Sequence, residues 1–113
     1  MHEMSIALSI VDLAEEQARK AHVARIIEIE LDIGIFSGIE IEALNFALEV
    51  VAKETLLEAA LIKINRIEAE SECLNCGSRF ASKGFIHQCP SCRETNTRIL
   101  KGKEMQVKSL LVE

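Results

Sequence analysis

Four cysteines and a histidine in second position are the residues of this chain best suited to chemistry. The cysteines form two units, Cys73-Leu74-Asn75-Cys76 and Cys89-Pro90-Ser91-Cys92, with twelve residues between them. Each Cys-x-x-Cys turn offers two sulfurs to one ion. Folding the intervening chain brings the pairs together at the tetrahedral Zn–S distance of about 2.3 Å. Gly77, directly after Cys76, suits the tight turn of such a knuckle. The surrounding segment has few large apolar side chains (Leu74, Phe80, Phe85, Ile86). Metal binding must then supply much of its folding free energy, on the order of 10 kcal/mol for a structural zinc site. Structural zinc on Cys73, Cys76, Cys89 and Cys92 is the expectation. A disulfide pair needs an oxidising compartment. A rubredoxin-like iron centre takes the same ligands, but the sparse aromatics do not favour it. His87, two residues before Cys89, stands either as a replacement ligand or as a surface side chain or one packed behind the ligands, and the latter reading is preferred. A closed four-thiolate site leaves no position for a substrate and points to architecture. No cysteine is left over as a nucleophile, no histidine-bearing triad is present, and the glycines form no phosphate loop. The chain is therefore expected not to be an enzyme.

The second candidate lies at the start, Met1-His2-Glu3. Initiator methionine is commonly retained before a bulky residue, which leaves the α-amine of Met1 one peptide from an imidazole. That amine, the deprotonated amide of His2 and its ring Nδ1 can close adjacent chelate rings in one plane. A planar nitrogen set suits Ni(II) or Cu(II), whereas zinc prefers a tetrahedron. The amide or carboxylate of Glu3, or a partner protein, can provide the fourth ligand. Such a site is shallow and exposed, which suits transfer. The alternative is that His2 and Glu3 are ordinary first-turn residues, with Glu3 favoured by the helix dipole.

The elements that must position these groups are legible in the periodicity. Met4, Ala7, Leu8, Val11, Ala14, Ala18 and Ala21 recur at helical spacing, which predicts a helix over 3–21. Residues Ile27 to Ile33 alternate strictly, as in a half-buried strand with an acidic outer face. A turn follows from Gly34 to Gly38. Ser37 and Glu40 then read as a capping box opening a second helix, with Ile41, Leu44, Leu48, Val51 and Ala52 on one stripe. Residues 60–70 read as a second strand with Ile62 and Ile64 inward and a bulge or bend near Arg66. Met105-Gln106-Val107-Lys108 begins a third. The predicted class is α/β (α+β): a three-stranded sheet with two helices on one face, interrupted by a small four-cysteine zinc domain. Core residues are 1–70 and 104–113, and the insert is 71–103.

Composition sharpens that division. The 113 residues include 13 basic and 18 acidic side chains, a net charge of −5. The insert carries +4 and the remainder −9. A basic, cysteine-bearing insert admits a zinc-ribbon nucleic-acid module or a zinc-stabilised adaptor. The acidic remainder and the lack of Trp and Tyr for base stacking count against the first. No apolar run approaches the roughly 18 residues that span a bilayer. Without a basic signal-like opening, a cytoplasmic protein is expected, with no membrane and no nucleic acid among its partners.

Beyond these physical arguments, the sequence resembles the HypA/HybF nickel metallochaperones. The likeness rests on Met1-His2-Glu3-Met4-Ser5, the Gly34…Ser37-Gly38 turn, Asn45-Phe46-Ala47, the paired Cys-x-x-Cys units and Gly102-Lys103-Glu104-Met105, in that order along the whole chain. The resemblance implies a carrier of Ni(II) in the maturation of [NiFe] hydrogenase and, in some organisms, urease. It implies work with the nickel-handling GTPase HypB, the hydrogenase large-subunit precursor and, in the urease case, urease accessory proteins. By the same resemblance the nickel site falls on Met1, His2 and Glu3, and zinc on Cys73, Cys76, Cys89 and Cys92. An acidic residue near the second helix, associated with the nickel site in some members, falls on Glu40. Transferred Ni(II) and structural Zn(II) are the implied metals.

Overall fold

The computed structural model describes residues 2–82 and 87–113. Met1, and with it the α-amine proposed as a ligand, lies outside the described residues, as do Lys83, Phe85 and Ile86 of the insert. Eight elements run in the order α1 (Glu3–Lys20), β1 (Ile26–Gly34), α2 (Ile41–Val51), β2 (Leu61–Ile67), β3 (Glu70–Cys73), β4 (Arg79–Ala81), β5 (Thr97–Lys101) and β6 (Met105–Val112).

The helices form where an apolar stripe can be buried. α1 turns Ala7, Ile10, Val11, Ala14 and Ala18 inward. Three of those five are alanines, which let the neighbouring backbone approach closely. Glu3 opens the helix and Arg19 and Lys20 close it, as the macrodipole favours. It ends in a paired hydrogen-bond cap: His22, at φ 56, donates to the Arg19 carbonyl, and the Val23 N–H reaches back to Ala18.

Two separate sheets are present, ordered β2-β1-β6 and β4-β3-β5. In the first, β1 runs parallel to β2 through the crossover helix α2 and antiparallel to β6. Ile29, Leu31 and Ile33 face one way and meet both helices in a core completed by Leu44, Leu48 and Leu57. The opposite face is a polar ladder. Asn65 Nδ2 donates to Glu30 at 2.6 Å and to Asp32 at 2.9 Å. This is the expected three-stranded sheet with two helices.

Several local expectations are corrected. Ile27 is exposed and Ile26 is buried, because the β1–β6 register slips between Ile26 and Glu28. The expected strand 60–70 stops at Ile67. Its change of phase marks the chain leaving the first sheet, and Glu70 already belongs to β3 in the second. The Ser37–Glu40 capping box does not form. Ser37 Oγ instead accepts from the Ile39 N–H at 3.1 Å, and α2 starts only after Glu40, which sits in an extended conformation. Within the insert, the second sheet was not foreseen.

Both chain passages between the sheets run past the end of β1. The Gly34 N–H donates to the Glu104 carbonyl at 2.8 Å and the Phe36 N–H to the Gly102 carbonyl at 2.7 Å. A Cβ on Gly34 would lie 2.0 Å from the Gly102 carbonyl oxygen, and one on Gly102 (φ 121) would lie 2.8 Å from Ala69. Only glycine fits at the first position. Gly34→Ala is expected to cost about 2–4 kcal/mol, or roughly 10–20 °C in Tm. Gly77→Ala, where no atom lies within 4 Å, should cost only the left-handed backbone term of about 1 kcal/mol. Thermal unfolding of the two variants side by side checks the ranking.

Candidate metal centres

The four cysteines converge. Their sulfurs all lie within 4.8 Å of one another, with Cys73 3.5 Å from Cys92 and Cys76 3.6 Å from Cys89. Four sulfurs on a tetrahedron of about 2.3 Å radius are separated by about 3.8 Å, so the set fits one ion. Two near-identical turns build it. The Cys73 N–H bonds to Ser78 O and the Cys89 N–H to Glu94 O; the Gly77 N–H returns to Cys73 O and the Arg93 N–H to Cys89 O. In each turn an amide also points at the first sulfur: Cys76 N at 3.4 Å from Cys73 Sγ, and Cys92 N at 3.5 Å from Cys89 Sγ. The residue after each second cysteine takes positive φ, 80 at Gly77 and 66 at Arg93. The expected role of Gly77 is thus met, and Arg93 holds the same conformation without the benefit of glycine.

These contacts divide the thiols. The Ser78 hydroxyl and then the Ser78 N–H beside Cys76 pull its thiol down to about 6. The Cys92 N–H lowers the Cys89 thiol. At Cys73 the Cys76 N–H favours the thiolate, but burial and the neighbouring Cys92 and Cys76 thiols push the group up to about 11. A cation entering the set meets sulfurs that give up protons readily and one that needs the cation's own charge to do so. His87 is not among the gathered ligands. Its ring meets Phe36 edge-on, with centroids 5.1 Å apart, and its Nδ1 has no hydrogen-bond partner among the described residues.

The insert's positive charge is partly committed. Arg98 lies 2.6 Å and Arg79 3.7 Å from the carboxylate of Glu72.

The second site lies at the joint start of the two helices. His2 precedes the first turn of α1 and is exposed. Its carbonyl accepts the Ile6 N–H, while its own amide, at the N-cap, stands outside the helix's own hydrogen-bond ladder. Glu3 Oε2 accepts the Glu40 N–H at 3.1 Å. Glu40 is thereby brought against the N-terminal residues, through its backbone and not its carboxylate. The capping partner that Ser37 fails to provide comes from α1, in a contact that spans 37 positions. Local pattern reading had no means of finding it.

The Glu40 N–H, followed by the Glu3 N–H, holds the Glu3 carboxyl below its ordinary value of 4.5. A depressed carboxylate stabilises the fold above its unfolded pKa and loses that contribution as pH falls through the folded one. Glu3→Ala should therefore lower Tm at pH 7, and the gap from the parent chain should close in acid below about pH 4. Paired melting curves from pH 7 to pH 3 test this.

Comparison with known proteins places these features together. The family model described as hydrogenase/urease nickel incorporation, metallochaperone, HypA matches residues 1–112. A hydrogenase maturation factor HypA from Parabacteroides distasonis is 44% identical over 113 residues, covering 100% of this chain and 98% of that protein. Another from Prosthecochloris aestuarii is 42% identical, with 100% of both chains covered. The solution structure of the Ni metallochaperone HypA from Helicobacter pylori superposes with a TM-score of 0.70 at 30% identity, covering 99% of this chain and 97% of that one.

Proposed function

The chain belongs to the HypA family of hydrogenase/urease nickel-incorporation metallochaperones, and from that premise we propose that it carries Ni(II) at Met1, His2 and Glu3 and delivers it to a hydrogenase precursor. The observation that carries this reading is the 3.1 Å contact between Glu3 and the Glu40 N–H. It holds the start of α1 against the start of α2, beside an exposed His2 whose amide nitrogen has no helical bond to surrender. Glu40 contributes position here, and no carboxylate ligation is required of it.

Zinc is the metal proposed for Cys73, Cys76, Cys89 and Cys92. The set is all-sulfur and closed, with no vacant coordination position, as structural zinc requires. In this reading residues 1–70 and 104–113 form the nickel-binding core and 71–103 the zinc domain. The protein acts as a carrier and not as a catalyst, in the cytoplasm. Among the described residues no helix is long and apolar enough to cross a membrane. HypB and the hydrogenase large-subunit precursor are the proposed partners, with urease accessory proteins where the host makes urease.

Deletion in the host tests delivery. Hydrogenase activity should fall without the protein and recover when the medium is supplemented with nickel. Failure of nickel to restore any activity, with the protein still required, would favour a zinc-stabilised adaptor without a nickel role.

A further inference from the structure

α2 buries Leu44, Ala47 and Leu48, and Phe46 lies on the opposite side of the same helix, 66% exposed. A phenylalanine there adds nothing to the core and is a poorer helix former than Ala, Glu or Lys. One more apolar side chain lies near it. Val50 stands one turn further along the helix. A cleft of about 470 Å³ adjoins the helix, lined by Asn45 and Glu49 of α2 and by Leu61 at the start of β2. The surrounding charge is acidic. Glu42 and Glu49 flank Phe46 at helical spacing, Glu58 lines the cleft, and Lys53 is the one basic residue lining it. β2 is an edge of its sheet, so backbone groups on its outer side have no strand partner there.

We infer that this face of α2, centred on Phe46 and Val50, docks a partner protein that presents an apolar element bordered by lysine or arginine. Charge complementarity selects that occupant. An acidic protein or an anionic bilayer is repelled by a lobe of net −9. A second copy of this chain presenting the same face would set Glu42 and Glu49 against their own like charges. The choice of probes, though not the surface itself, rests on the nickel-delivery reading.

The full chain is titrated with purified HypB and, separately, with the hydrogenase large-subunit precursor, at low and high salt. One of them should bind, and more weakly at high salt. Phe46→Ser, and independently the pair Glu42→Lys and Glu49→Lys, should each raise its Kd about tenfold or more. Melting temperature and bound nickel should stay at parent values, and Leu8→Ser, at an exposed apolar site on α1, should leave Kd unchanged. The inference is overturned if neither protein binds, if both variants bind as the parent does, or if only self-association responds. Nickel measured on the same samples separates the two readings: a parent chain without nickel but with variant-sensitive docking retires the carrier role and keeps the surface.

Discussion

One extra residue ahead of Met1 is expected to weaken Ni(II) binding by about a hundredfold or more. The reason is geometric. The proposed site uses the α-amine, the His2 amide and the His2 imidazole as consecutive members of fused chelate rings. An extension converts the amine into a peptide nitrogen and moves the nearest amine beyond the ring. His2→Ala removes the imidazole and should cause a loss of the same order. Neither change touches the fold, since His2 is exposed and precedes the first helical turn. Calorimetry on untagged protein, with the absorption of planar Ni(II) as a second readout, measures both. Nickel must displace protons from these nitrogens to bind them, so affinity should decline as pH falls. Tight nickel binding by an extended chain would remove the N-terminus from the mechanism.

The second large effect concerns the cysteines. Stripping the metal, or replacing buried Cys89 with serine, should unfold residues 70–101 while the first sheet and both helices persist. Every member of the buried hydrophobic cluster comes from the first lobe, between Ala7 and Leu57. The second sheet has strands of only 4, 3 and 5 residues. Its buried positions hold Ser71, Ser82, Cys73 and Cys89, and the two serine hydroxyls bond to each other. Such an interior releases little hydrophobic free energy, whereas a structural four-thiolate zinc site contributes on the order of 10 kcal/mol. Hydrogen exchange is the informative measurement. The amides of Cys73, Leu74, Cys89 and Arg93 should lose protection without metal, while those of Ile29 and Leu31 keep it. Retained protection across the second sheet of metal-free protein would mean that packing alone holds it.

The contrast between the lobes also explains what was legible beforehand. The helical period of α1 and the alternation of β1 from Glu28 on are long patterns set by one buried face and are met in outline, but Met4, Leu8 and Ala21, read onto the α1 stripe, are exposed and Ile10 is buried in their stead. The Cys-x-x-Cys units were readable because ligand spacing is local. The second sheet was not, because β4 covers three residues and no period can be recognised over that length. The Ile26/Ile27 reversal was hidden because a bulge depends on the partner strand, and β6 lies near the other end of the chain. The capping of Glu40 by Glu3 was hidden for the same reason: the local signal at Ser37 was genuine turn chemistry, but the distant carboxylate took the donor. Phe46 was visible only as part of the Asn45-Phe46-Ala47 motif. Its exposure became meaningful once α2 had a buried side.

The glycine clamp at the end of β1 has a bearing on assembly. A Cβ at Gly102 would touch Ala69, so the insert begins and ends at the same place. Before the insert folds, β6 can reach β1 only by closing a loop of roughly 35 residues, an entropic cost of about 3 kcal/mol. Once the cysteines have gathered their ion, the two ends are already adjacent and most of that cost has been met. The metal centre then acts as a staple on the first lobe, and loading it should speed the docking of the final strand.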